Sequence, residues 1–391
     1  MRIGEKERRI LRGRRVRFAL LLLLPLVFSC ASTASLQALR NDLQSLPPHT
    51  VAAPPLEDFR DVRGAVHVHS YLSHDSEGRP EEILRAAAEA GLQFIIMTDH
   101  TNPRIFEEGM HGWQEGVLVI RGMEIIQEGA SLLAIGMNEY LDHRRMPLQE
   151  AVDRLKAEGV LVFAAHPRTY PGWRRLKGLD GIEIYDIFDD ATDHKGRYFN
   201  YFFDILFVFD RYPDEVFLSI LDRPEKELLL WDGATQSRRV AGIAGNDAHQ
   251  NVRLFGRQID PYARSFRFVN THLLVATLDQ TALLEALAEG RGYVSFDILA
   301  DATGFRFGAR GEKYDGRMGE ALPFREGIEL YARAPQSGRF RLIKDGVVVD
   351  RGEGTTLSFY PKGKGVYRVE WLLLLGDRWR PWIYSNPIYL R

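Results

Sequence analysis

One cysteine, Cys30, is all the chain has in 391 residues, which excludes a disulfide framework and any thiolate-held metal. Long apolar runs are missing too: the most apolar stretch, "ALLLLLPLVFSC", is too short to cross a bilayer. Nor is there an excess of one charge, since 51 Lys and Arg stand against 53 Asp and Glu. No internal repeat or low-complexity tract interrupts the chain. What is present is 45% hydrophobic, with aromatic residues throughout, enough to bury a large core and to fill two or three domains.

The opening "MRIGEKERRILRGRRVRF" is strongly basic and precedes that short apolar run, the order expected of a secretion signal over residues 1–29. It closes in Leu26-Val27-Phe28-Ser29-Cys30, which resembles the lipobox of bacterial lipoproteins, although Phe28 is bulkier than that pattern usually has. The resemblance implies a lipid on Cys30 as the membrane partner, anchoring in the bacterial cell envelope, and, with Ala31 next, the outer membrane. Residues 1–29 hold eight Lys and Arg and two Glu, so the rest carries a net charge of about −8. That is a poor match to a partner whose phosphates must be neutralised, and no nucleic acid is expected. Residues 30–60 are polar, with Pro47-Pro48 and Pro54-Pro55, and read as a tether holding at most a short helix near 36–46.

From residue 61 to about 300, short apolar runs such as "GAVHVH", "LQFIIMTDH", "GVLVFAAHP" and "GIEIYD" alternate with "RPEEILRAAAEAG", "PLQEAVDRLKAEG" and "DQTALLEALAEG", whose apolar residues have helical spacing. Strand and helix alternating over this length predict an α/β domain, a (β/α) barrel. From 301 to 391 the texture becomes strands joined by Gly and Pro turns, which predicts a small antiparallel β-sandwich. Trp382, Tyr384, Ser385 and Asn386 near the end read better as core and domain interface than as a ligand patch.

The strands share an unusual ending. On a strand, residues i and i+2 face one side, so "HVH" turns His67 and His69 the same way at the C-terminal end, where barrel enzymes build their sites. "FIIMTDH" ends in Asp99 and His100, "VIRGMEI" delivers Glu124, "VLVFAAHPR" delivers His166 and Arg168, and "VAGIAGNDAH" delivers Asp247 and His249. Five apolar runs ending in ionisable groups are costly unless those groups pair or bind metal. Imidazole with carboxylate suits Zn, Mn or Fe better than Mg or Ca, and this many donors implies more than one ion.

Taken in order, "HVHS", the Asp of "SHDSEG", "TDH", "GMEI", "HP" and "NDAH" resemble the motifs of the polymerase and histidinol phosphatase (PHP) superfamily of metal-dependent phosphoesterases. The resemblance implies an irregular seven-stranded (β/α) barrel with two or three divalent ions. His67, His69, Glu124 and Asp247 would hold one; Asp75, His100 and His249 the other, with His74 as the alternative to Asp75. Some relatives hold a third ion with the Glu, the His of "HP" and a further His in a segment like "GHLLAIG". Here that segment reads "GASLLAIG", with Ser131 at the histidine's place. His166 then either contacts substrate or shares a third ion completed by His111 or His194. Arg168 would hold substrate phosphate, with a surface salt bridge as the alternative, and Asp99 or His194 would deliver a proton to the leaving group, Asp99 also being placed to orient a histidine.

The expected function is therefore a hydrolase in which a metal-bridged hydroxide attacks a phosphoester of a small-molecule substrate. The tail "RPWIYSNPIYL" resembles that of the subgroup related to carbaryl and carbofuran hydrolases, which implies a carbamate, ester or amide as an alternative bond. A lipoprotein that binds metal or ligand without turnover is the alternative of another class.

Overall fold

A computed structural model describes residues 33–46, 59–187, 189, 208–312 and 315–391. The expected signal segment, Cys30, about half of the tether, His194 and most of "RYFNYFFDILFVFDRY" lie outside these residues. No described helix is long and apolar enough to cross a membrane.

Two compact units emerge, one formed by residues 1–45 and 191–221, the other by 46–190 and 222–391. In the smaller, Thr33–Ser45 and Pro213–Ile220 are helices. The first of them is the short helix expected near 36–46: Leu36 and Leu39 are buried, and Arg40 Nε meets Glu215 Oε1 at 2.6 Å. The leucines lie one helical turn apart, so the segment has an apolar side to bury.

In the larger unit the strands up to the first half of the sheet are β1 (Arg60–Val68), β2 (Phe94–Met97), β3 (Gly112–Gln114), β4 (Val117–Gln127), β5 (Ala130–Ile135), β6 (Leu161–Ala165), β7 (Gly181–Asp186) and β8 (Ala241–Gly245). β1 pairs β2 and β2 pairs β4 in parallel, as β6 pairs β7 and β7 pairs β8. Between these parallel sets runs an antiparallel meander, β4 to β5 to β6. Its turn is Glu128-Gly129, both at positive φ (53° and 74°), the conformation whose twist matches a two-residue hairpin. The sheet is thus mixed rather than uniformly parallel. β8 and β1 form no regular ladder; an isolated parallel bridge, Val68 to Ala248, and the bonds Asn246 N to Val66 O (2.8 Å) and His69 N to Ala248 O (3.1 Å) join their ends.

The three expected helices form, at Pro80–Glu89, Leu148–Ala157 and Gln280–Glu289. The last is bounded by Asp279, which accepts from Ala282 N, and by Gly290 in the left-handed conformation. Val66, Phe94, Ile96, Leu118, Ile120, Leu133, Phe163, Ile243 and Leu273 pack together as one core cluster beneath the strand ends.

A short hairpin, β9 (Arg253–Leu254) with β10 (Arg257–Gln258), follows His249. Then come β11 (Asn270–Val275), β12 (Gly292–Ser295), β13 (Arg306–Arg310), β14 (Asp315–Arg317), β15 (Ala321–Leu322), β16 (Glu329–Lys344), β17 (Val347–Phe359), β18 (Gly365–Leu375), β19 (Arg378–Ser385) and β20 (Ile388–Leu390). These strands are antiparallel except for β15 beside β20. Hydrogen bonds run across residue 300: β12 pairs β19, and the buried Asn386 side chain bonds Gly242 N (2.7 Å) and Gly292 O (3.1 Å). The pairings continue one sheet, and a distinct sandwich is not among them. Trp382, Tyr384, Ser385 and Asn386 are all buried, as core residues are.

Candidate metal centre

The floor of the site is β1. His67 and His69 are fully buried, with ring centroids 5.0 Å apart. Simple strand alternation does not place them: the register with β2 shifts between Val66 and Val68, and His67 has φ 63°, a bulge that re-aims a side chain. His67 Nδ1 lies 2.8 Å from Glu183 Oε1. His69 Nδ1 lies 3.0 Å from Ser73 Oγ, which donates to Asp99 Oδ1 at 2.8 Å. Each ring therefore spends Nδ1 on a fixed acceptor and turns Nε2 inward.

What the two Nε2 atoms face is carboxylate. His67 Nε2 is 3.5 Å from Glu124 Oε2 and 3.4 Å from Asp247 Oδ1; His69 Nε2 is 3.6 Å from each. Neither Nε2 has a hydrogen-bond partner among the described residues, nor does Asp75 Oδ1. His100 reaches Glu124 Oε2 with Nδ1 (3.0 Å) and Asp75 Oδ2 with Nε2 (3.1 Å). His249 stacks on His69 at 3.9 Å between centroids, 3.5 Å from Asp75 Oδ1 and 3.4 Å from Asp247 Oδ1. Donor atoms of His69, Asp75, His100 and His249 all lie within 4.8 Å of one another, as do those of His67, His69 and Asp247. His74 is exposed, its side chain 79% accessible, so the loop presents Asp75 rather than His74.

That loop is pinned from below. Tyr262 Oη donates to His69 O (2.6 Å) and touches Ser76 Oγ (3.1 Å), Ser76 Oγ donates to His249 O (2.9 Å), and Asn251 Nδ2 donates to Asp75 O (2.6 Å).

Charge and burial act strongly here. Burial opposes a proton on His67, but Glu183, Asp247 and Glu124 hold its pKa well above the usual range. Burial together with the neighbouring His249 and His67 pushes His69 well below it. Glu124 is held well below the carboxylate range, against burial, by His67, His100 and His69. Buried nitrogen and oxygen donors that compete for protons and lack hydrogen bonds suit a divalent cation.

His166 sits at the edge of this group, its Nε2 3.9 Å from Asp247 Oδ2 and its Nδ1 3.4 Å from Asp189 Oδ2 and 3.7 Å from Asp186 Oδ1. The sequence reading had passed over Glu183, Asp186, Asp189 and Ser73. A signal for two of them existed: "GIEIYD" also ends in an acid, Asp186, and carries Glu183 inside an apolar run. Burial pushes the Asp186 carboxyl well above its usual range, with the Asp247, Glu183 and Asp189 charges adding to it and His166 opposing.

Other expectations are corrected. Asp99 does not face the donors: Ser70 N (2.6 Å), Ser70 Oγ (2.9 Å) and Ser73 Oγ occupy its carboxylate, so it orients His69 through Ser73 and is not placed to deliver a proton. His111 is exposed and bonds only locally, to Gly109 O at 3.3 Å, leaving it outside the centre. Ser131 is buried and donates to Glu124 Oε1 at 2.5 Å, because the β4–β5 hairpin folds it back over that strand. Arg168 pairs with Glu227 (3.0 Å) and contacts Asp189 O (3.4 Å), in keeping with the ion-pair alternative.

With the donors placed, comparison with known proteins becomes informative. Residues 65–251 match the PHP domain family. The PHP match spans every donor named above. An uncharacterized protein of Methanocaldococcus jannaschii is 29% identical over 144 residues, covering 32% of this chain and 83% of that protein. Among solved structures, a two-domain protein of Bacteroides vulgatus described as containing a predicted PHP-like metal-dependent phosphoesterase shares 14% identity over 88% of this chain and 99% of its own, at a TM-score of 0.44. Endonuclease Q, solved with a 27-mer duplex carrying an abasic lesion, shares 12% identity over 58% of this chain and 56% of its own, at 0.35.

Proposed function

We propose that the chain is a metal-dependent hydrolase that holds two divalent cations, Zn, Mn or Fe, and cleaves a phosphoester of a small molecule. The observation that carries this is the pair of buried, unbonded Nε2 atoms of His67 and His69 facing Glu124 and Asp247. His67, His69, Glu124 and Asp247 would hold one cation, and Asp75, His100 and His249 the other, Glu124 Oε2 standing between the groups. Such cations supply Lewis acidity, which polarises a phosphoryl or acyl oxygen and lowers the pKa of water. Ser131 engages Glu124 Oε1, which favours two ions over three. His166, 9% exposed in its side chain, borders the group and would then meet substrate. Arg168 would need to leave Glu227 to grip a phosphate, and its bidentate guanidinium suits that task.

The test is metal analysis of the purified chain with a screen of phosphomonoesters, phosphodiesters and carbamates, run beside His67→Ala. Two ions per chain, phosphoesterase turnover and loss of both in the variant are expected. Fewer than one ion refutes the hydrolase reading, activity confined to carbamates refutes the phosphoester, and ions without turnover on any panel support the binding-protein alternative. The Leu26–Cys30 motif supports attachment to the cell envelope through Cys30; labelled lipid incorporated by the full chain and lost in Cys30→Ser is the expected result.

A further inference from the structure

We propose that Glu183 is the positioning residue of this centre, setting the tautomer of His67 and the backbone turn at His166 with one carboxylate. Glu183 lies on β7 and is fully buried. Its Oε1 meets His67 Nδ1 at 2.8 Å and its Oε2 accepts from the His166 backbone N–H at 2.9 Å, so each oxygen has one donor from a different strand end. Both residues it holds are left-handed, His67 at φ 63° and His166 at φ 41°, conformations that persist only where neighbours enforce them. Space for the carboxylate comes from Gly245 on β8: a methyl group there would collide with Glu183 Oε1 and come within 2.7 Å of Asp186 Oδ2.

The chemical consequence follows from the inventory of imidazole. With Nδ1–H donated to Glu183, the Nε2 lone pair of His67 is left for the centre. Replacing the carboxylate by an amide cannot reproduce this. If the amide oxygen meets His67, the NH2 group opposes the His166 N–H. If the NH2 group meets His67, that ring must carry its proton on Nε2 and withdraws the lone pair.

This role rests on the cation centre proposed above, and the experiment separates the two. Zn and Mn binding to the full chain is measured by chelator competition for wild type, Glu183→Gln and Glu183→Asp, with far-UV circular dichroism of each. Affinity at one of two ions is expected to fall roughly 10- to 100-fold in Glu183→Gln, with partial recovery in Glu183→Asp, which keeps the charge. Two ions held by Glu183→Gln within about threefold of wild-type affinity overturn the role of Glu183 alone. A wild type that binds no ion overturns the centre itself. Should the variants fail to fold, the nitrogen resonances of His67 in Zn-loaded wild type decide: a protonated Nδ1 and unprotonated Nε2 are expected, and the reverse overturns the assignment.

Discussion

His272, on β11, is fully buried and lies between two carboxylates, Nδ1 3.1 Å from Asp61 Oδ1 and Nε2 2.9 Å from Asp297 Oδ2. Asp61 also accepts from Tyr293 Oη (2.9 Å), Gly304 N (2.7 Å) and Arg306 Nη1 (3.0 Å), and Arg63 Nη1 stands 3.9 Å from Asp297 Oδ2. Burial opposes charge on the imidazole, yet Asp297 and Asp61 raise its pKa to about 10. Its folded pKa exceeds the unfolded value of about 6.5, so its stabilisation is complete below pH ~6.5 and is lost as pH rises through about 10. The gap of roughly 3.5 units corresponds to about 5 kcal/mol at most. Removing the ring as His272→Leu leaves two buried carboxylates short of a partner, a cost of about 3–5 kcal/mol. Urea unfolding of wild type and variant from pH 6 to 10.5 measures both. The difference between them should be greatest near pH 6 and shrink by about 1.4 kcal/mol per unit towards pH 10. A difference under about 1 kcal/mol at pH 6, or one constant across the range, refutes the reasoning.

Ser73→Ala removes the acceptor of His69 Nδ1–H and should weaken cation binding roughly 10- to 100-fold with little change in fold, read by chelator competition. Ser131→His places an imidazole beside Glu124 Oε1, and metal analysis should find one ion per chain more than the two proposed for wild type. Arg368, buried and bonded to Asp232 (2.6 and 2.8 Å) and Glu370 (2.8 Å), ties the helix Glu225–Ser237 to β18; Arg368→Met should destabilise by about 3–5 kcal/mol in urea unfolding. Gly245→Ala should lower both stability and cation affinity, since the added methyl displaces Glu183.

Much of the centre was legible in order along the chain, because strand-end residues of an α/β sheet converge whatever the details of the fold. His67, His69, His100, Glu124, Asp247 and His249 are one group for that reason, and Asp75 joins them from the loop after β1. What failed was anything set by the third dimension of a neighbouring strand. Asp99 reads as a proton source or as a residue that orients a histidine, and only the two serines of the loop after β1 that claim its carboxylate decide for the second. Glu183 reads like a charged residue lost in an apolar strand, and only the approach of β1 and Gly245 reveals its two partners. The meander β4–β5–β6 hid in the same way, because the runs on either side of Glu128-Gly129 read equally well as successive strands of a barrel. The change of texture at residue 300 is real, while the hydrogen bonds of β12, β19 and Asn386 run across it.

Backbone conformation gives the strongest reason to regard these donors as a built site. Among the described residues, nine non-glycine residues have positive φ; Glu115, Glu128, Gln250, Phe255, Asp345 and Asp377 lie in turns or loops, where that conformation is ordinary. The other three are His67, His166 and Asp247, at the ends of three different strands and all beside the same few carboxylates. Each costs on the order of 1–3 kcal/mol and needs surroundings that enforce it. Packing alone would have relaxed such residues into extended strand. Instead Glu183 fixes two of them, and on either side of Asp247 the backbone bonds Asn246 N to Val66 O and Ala248 N to His67 O fix the third. Strain held in place by dedicated partners, and aimed at a shared point, is what a preorganised cation centre requires: donors already converged in the folded chain and scattered in the unfolded one, so that cation binding should also stabilise the fold.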